Sequence, residues 1–175
     1  GELDLQAGRA TIDGVIPEHG ASAGGVKCTV TGSDFNPDGT TTVTFGKKAA
    51  VEVVVVDSYT ITCTAPNNPA GPVDITVDHS VDGIVTHPNA FTYHDPPEIA
   101  EVSPDSGTIM GGTQVTVTGG NFTAVGTTRV TFGGVAAGAV TVVNENTITC
   151  VAQATGIGSV DVEVSNTVGS AVPEE

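Results

Sequence analysis

Residues 26–35 read VKCTVTGSDF, and residues 113–122 read TQVTVTGGNF. Apolar side chains fall on every second residue: Val26, Cys28 and Val30 in the first stretch, Val115 and Val117 in the second. Lys27, Thr29 and Thr31, or Thr116 and Thr118, stand between them. That period belongs to a strand with one face in a core. Gly32 and Gly119 come next, at the expected strand ends, where Gly at 46 and 133 is also expected and a backbone with φ > 0 turns without a Cβ clash. Phe35, Phe122, Phe45 and Phe132 are then expected to plug the core.

Working outward, the same spacing of 87 residues relates Pro17 to Pro104, Gly20 to Gly107, Gly24 and Gly25 to Gly111 and Gly112, and Phe35 to Phe122. It continues through Val43, Phe45 and Gly46 onto Val130, Phe132 and Gly133, and through Ile61 and Cys63 onto Ile148 and Cys150. A unit of that length is a domain and not a solenoid repeat. Breakers divide the first copy into seven expected strands near 11–16, 26–32, 41–45, 51–57, 60–65, 73–79 and 84–93. Seven short strands with frequent turns indicate a sandwich. The fold class is therefore all-β, two tandem immunoglobulin-like sandwiches: an extension over 1–9, a first domain over 10–95 and a second over 96–175. The expected core is Val26, Cys28, Val30, Phe35, Phe45, Ile61 and Cys63, then Val115, Val117, Phe122, Phe132, Ile148 and Cys150.

Pro-x-x-Gly, Gly-Gly, Val-x-Val-x-Gly-x-x-Phe, Val-x-Phe-Gly and Thr-Ile-Thr-Cys make up the repeated unit, and in this they closely resemble the IPT/TIG family of immunoglobulin-like domains. The resemblance covers about residues 10 to 175 and implies an E-set type sandwich. Such domains occur in plexin-like receptor ectodomains, microbial surface proteins, some polysaccharide-processing enzymes, virion proteins and Rel-type transcription factors, so fold alone does not fix function. The net charge of −15, with 20 acids against five bases, disfavours nucleic acid and anionic membrane, because phosphate binding needs clustered Lys and Arg. No run approaches the ~18 apolar residues of a membrane helix, and the opening GELDLQAGR has neither the basic nor the apolar region of a signal peptide. The expectation is a non-catalytic module of an extracellular, cell-surface or virion-surface protein, without cofactor, which presents loops and sheet edges to a protein partner.

Several residues invite sharper roles. Cys28 and Cys63 are expected on neighbouring strands with both side chains in the core, so a bridge and a pair of free thiols both stay open. Asp34-x-Asn36-x-Asp38-Gly39 starts like a calcium loop, but Phe45 takes the position of the bidentate acid, and Asn-Pro-Asp-Gly is also ordinary turn chemistry. Asp74, Asp78 and Asp82 spread over too much strand for one ion. His19, His79, His87 and His94 fall outside the shared framework, and no His-Glu-x-x-His is present, which argues against an enzyme. A carbohydrate partner would need exposed aromatic platforms, and with no Trp only Tyr59 and Tyr93 could serve. Asn121-Phe122-Thr123 is a sequon built around a core residue.

The copies differ most at their ends. Residues 89–93 form an alternating closing strand, whose Phe91 and Tyr93 map to positions past Glu175. A boundary cut through a longer surface protein explains this. The alternatives are a second copy that tolerates a short edge, and strand donation between subunits, in which Glu2-Leu3-Asp4-Leu5 pairs with an open edge. Self-association of that kind, into a filament or virion decoration, puts Leu3, Leu5, Val160, Val162 and Val164 in contact.

Overall fold

Period-2 patterning sets the strands of the computed structural model, which describes residues 9–122 and 126–173. The chain divides into two units between Tyr93 and His94. In the first, the described residues form β1 (Thr11–Ile16), β2 (His19–Ala21), β3 (Lys27–Ser33), β4 (Thr41–Phe45), β5 (Lys48–Ala49), β6 (Val51–Asp57), β7 (Thr60–Thr64), β8 (Gly71–His79) and β9 (Gly83–His94). The sheets are β1-β3-β7-β6 and β2-β9-β8-β4-β5. All seven expected strands are present to within two residues. The two short additions, β2 and β5, are too brief to leave a period in the sequence.

The second unit repeats the plan with β10 (Glu98–Ser103), β11 (Gln114–Gly120), β12 (Arg129–Phe132), β13 (Val135–Ala136), β14 (Gly138–Asn144), β15 (Thr147–Val151), β16 (Val162–Ser165) and β17 (Ser170–Ala171). Its sheets are β10-β11-β15-β14 and β13-β12-β16-β17. Register repeats with the spacing: Cys28 faces Cys63 and Val30 faces Ile61, as Val115 faces Cys150 and Val117 faces Ile148. The bulge between Ile12 and Gly14 recurs between Ile99 and Glu101.

Each unit closes its own core. Cys28, Val30, Phe35, Phe45, Ile61 and Cys63 are buried in one, and Val115, Val117, Phe122, Phe132, Ile148 and Cys150 in the other. Val26 is only half-buried, because it precedes β3 and packs at the margin of the core.

Two expectations need correction. Gly46 and Gly133 do turn with φ of 62° and 56°, but Gly32 and Gly119 lie inside β3 and β11 and are absent from the positive-φ glycines. Their requirement is close approach: a Cβ at Gly32 would overlap the Thr11 carbonyl, and one at Gly119 the Glu98 carbonyl. The closing strand of the second unit is not wholly missing from the described residues, since β17 pairs Ala171 with Val164 and Ser170 with Ser165.

Candidate contact surface

Edge strands leave backbone groups unpaired, so the side chains they carry decide whether the edge can receive a partner. β6 is such an edge. Its sequence, VEVVVVD, sends Val53 and Val55 onto the core and leaves Val54 and Val56 54% and 57% exposed. Tyr59, in the turn that follows, is 65% exposed. At the other end of β6 the edge is blunted. Glu52 sits at φ 52° in the bulge between Val51 and Val54, where its carboxylate accepts from Thr64 Oγ1 at 2.7 Å and pairs with Lys27 Nζ at 3.1 Å. Those bonds, that from Thr64 first, hold the Glu52 carboxyl below its ordinary range. The matching positions on β14 are Gly138, Thr141 and Val143, with Asn146 for Tyr59, so the apolar outer row belongs mainly to the first unit.

The other expected sites are distributed as follows. Asn36 Oδ1 accepts the Asp38 backbone N–H at 2.9 Å, Asp34 Oδ2 accepts from Ser33 Oγ at 3.3 Å, and the Asp38 carbonyl is 2.8 Å from His79 Nε2. The loop is thus tied to its own backbone. Asp74 Oδ1 accepts the Asn89 N–H at 2.9 Å, at the bulge where β9 crosses β8. Cys28, Cys63 and Cys150 are buried free thiols. Burial pushes Cys28 up to about 11 and Cys63 to about 12, and raises Cys150 too, so at neutral pH none supplies a nucleophilic thiolate.

Tyr93 is buried, with its O–H donating to the Pro66 carbonyl at 2.7 Å, which leaves Tyr59 as the accessible one of the two tyrosines. Leu3 and Leu5 lie outside the described residues, as does Thr123 of the sequon. Val162 and Val164 are not available as assembly contacts. They are core residues of β16, in which β17 pairs with Val164 and Ser165 but not with Val162. Val160 alone of the three is exposed.

His79 has a structural role that the sequence hid. Its Nδ1 lies 3.2–3.3 Å from the Asp82 and Val81 backbone N–H groups, and Asn166, 87 residues on, uses Oδ1 to accept from Val168 and Gly169. Different side chains cap the same hairpin. His79 Nδ1 also lies 3.0 Å from the Asp82 carboxylate.

The model of the IPT/TIG domain matches residues 10–93 and again 97–173. The chain belongs to the IPT/TIG family. Among curated proteins, human fibrocystin-L is 32% identical over 116 residues, which cover 63% of this chain and 3% of that protein. Human plexin-A3 is 29% identical over 122 residues, covering 69% of this chain and 6% of its length. The IPT/TIG pair thus spans only a few per cent of these relatives. Among solved structures, the plexin A4 extracellular region aligns over 99% of this chain and 19% of its own, with a TM-score of 0.52 and 20% identity. That likeness is one of fold.

Proposed function

We propose that this IPT/TIG pair is a non-catalytic segment of an extracellular or surface protein and makes protein contacts through a sheet edge, with β6 as the contacting strand. The observation that carries the reading is the outer row of β6, where Val54, Val56 and the adjacent Tyr59 stand exposed beside an edge that is unpaired among the described residues. Exposed apolar residues on an edge invite strand addition. The other copy has Thr141 and Asn146 at two of these three places, so fold maintenance does not require them. The acidic surface adds long-range selection for basic or neutral partners. The family's presence in the fibrocystin-L and plexin-A3 chains supports the surface location.

The test is binding of labelled chain to intact cells of its source. V54K and V56K should each reduce retention at least fivefold, while V143K on the equivalent edge of the second unit should not. Equal retention for all three variants would overturn β6 as the contact strand.

A further inference from the structure

The charges around β6 are sorted by sign along the strand. Lys27, Lys47 and Lys48, three of the chain's five bases, stand where β6 begins. Val51 pairs with Thr64 and Thr64 with Lys27 across the ladder, and the other two lysines precede Val51 by only a few residues. All three are exposed; Lys48 Nζ donates to Asn67 Oδ1 at 3.2 Å and Lys27 Nζ to Glu52 at 3.1 Å. Acids stand where the strand stops. Asp57 is its last residue, and Asp34 lies beside the turn that follows, because the Phe35 N–H donates to the Ser58 carbonyl at 3.0 Å. Both acids are exposed.

The second unit has none of this. Advancing by 87 replaces Lys27, Lys47 and Lys48 by Gln114, Gly134 and Val135, Glu52 by Ala139, and Asp34 and Asp57 by Asn121 and Asn144. Every one of these charges is neutral in the other copy, so the sandwich does not need them. Solubility does not account for them either, since a chain of net charge −15 gains nothing for that purpose from bases gathered at one end of a strand.

The backbone narrows the geometry. Gly32 N–H donates to the Tyr59 carbonyl and Ala65 N–H to the Val26 carbonyl, so by alternation the odd-numbered residues of β7 bond to β3, and Thr60, Thr62 and Thr64 bond to β6. Val54 faces Thr62 and spends its groups there. That leaves the N–H and C=O of Val55 on the side of β6 that carries no strand among the described residues.

We propose that a second copy of this chain occupies that side, with its β6 antiparallel to this one about a two-fold axis through Val55. The proposal rests on β6 being a contact strand and names its partner. Val55 exchanges N–H···O=C bonds with its copy, and Val54 of each chain faces Val56 of the other on the outer face. The lysine end of each strand meets the end of the other that bears Asp34 and Asp57. Charges of one sign that only guard an edge repel a copy in either direction. These repel a parallel copy and attract an antiparallel one, which is the self-complementarity a two-fold contact requires. The bulge at Glu52 limits pairing to residues 53–57, so the interface is small and the dimer weak and concentration-dependent. The net charge of −15 opposes the approach of two copies, but physiological salt screens it beyond about 8 Å and leaves the contact pairs in place.

The experiment is sedimentation equilibrium of the full chain at concentrations up to millimolar. A reversible dimer is expected at about 0.15 M salt, weaker at about 0.01 M where the Debye length is about 30 Å. V54K and V56K should each weaken it at least tenfold, and V143K not at all. K27E and D57K should each weaken it at least fivefold, and an equimolar mixture of those two variants should recover the original strength to within about threefold. In the mixed pair opposite signs meet at both ends, whereas a folding defect is not mended by mixing. A monomer at every concentration, a dimer weakened equally by V143K, or a mixture as weak as its components would each overturn the proposal. A monomeric chain whose retention on cells still falls with V54K would overturn the second copy as partner and leave β6 as the contact strand for another protein.

Discussion

Phe45 and Phe132 occupy the same position in the repeat, yet truncating them should not cost the same. Phe45 is 0% exposed and meets Phe91 at 5.1 Å and Tyr93 at 6.4 Å, both edge-on. Phe132 is 6% exposed and lines a cavity of about 490 Å³ in the second unit. Removing a core Phe costs about 3–5 kcal/mol, part of it for the cavity left behind, and an aromatic pair adds about 0.5–1.5 kcal/mol beyond burial. Phe45→Ala should therefore fall near the top of that range, at about 5 kcal/mol, and Phe132→Ala near about 3 kcal/mol, because much of its cavity already exists. At a urea slope of about 2 kcal/mol/M, the difference of about 2 kcal/mol is about 1 M between the two shifts in midpoint. The assay follows from composition: there is no Trp, and both tyrosines, Tyr59 and Tyr93, lie in the first unit. Tyrosine fluorescence thus reports on the first unit alone, and far-UV circular dichroism on both. Equal shifts, or a larger one for Phe132→Ala, would refute the view that the second core is open at this point.

Three further outcomes are expected. His79→Asn should keep most of the stability of the first unit, since Asn166 performs the same cap, whereas His79→Ala should cost about 0.5–1.5 kcal/mol by removing the acceptor of two part-buried backbone N–H groups; equal losses in urea titration would contradict this. Gly119→Ala should lose at least about 2 kcal/mol, because its Cβ meets the Glu98 carbonyl, while Gly120→Ala, with open space around its Cβ, should be near neutral in the same titration. Cys28 and Cys63 hold their protons to about 11 and about 12 when folded, against an ordinary value near 9. A raised folded value stabilises fully below the unfolded one and is lost as pH climbs, so the first unit should weaken from pH 9 towards 12. Cys28→Val, the residue that Val115 puts in the second unit, should flatten that decline; a decline unchanged by Cys28→Val in pH-dependent unfolding followed by circular dichroism would count against it.

What the sequence made legible was whatever two constraints write twice. Alternation and the 87-residue spacing together located the longer strands, the Cys28–Cys63 register and about half of the two cores, while Val15, Val43, Ile75 and Val77 in the first and Val130, Val162 and Val164 in the second were not assigned to them. Gly32 and Gly119 were found but misread. A glycine required by a neighbouring carbonyl looks in sequence like a glycine required by a turn, and only the approach of Thr11 and Glu98 separates the two. His79 was set aside because Asn166 differs from it, yet the conserved quantity is an acceptor atom aimed at a hairpin backbone, which two unlike side chains can supply.

Residues that hold a sandwich together recur at the repeat spacing, so a surface built for one copy's own task must appear as a departure from it. One such departure lies on a strand that is an edge among the described residues: the valine row of β6, where Thr141 and Asn146 stand at the places of Val54 and Tyr59. Val162 and Val164 were expected at an open edge, yet the core takes both side chains and β17 pairs with Val164. An unpaired edge invites association whatever residues it carries, and natural sheets counter it with bulges and charge, as Glu52 does at one end of β6. At Val54 and Val56 the exposed residues are apolar instead, which is why the proposed contact is placed there.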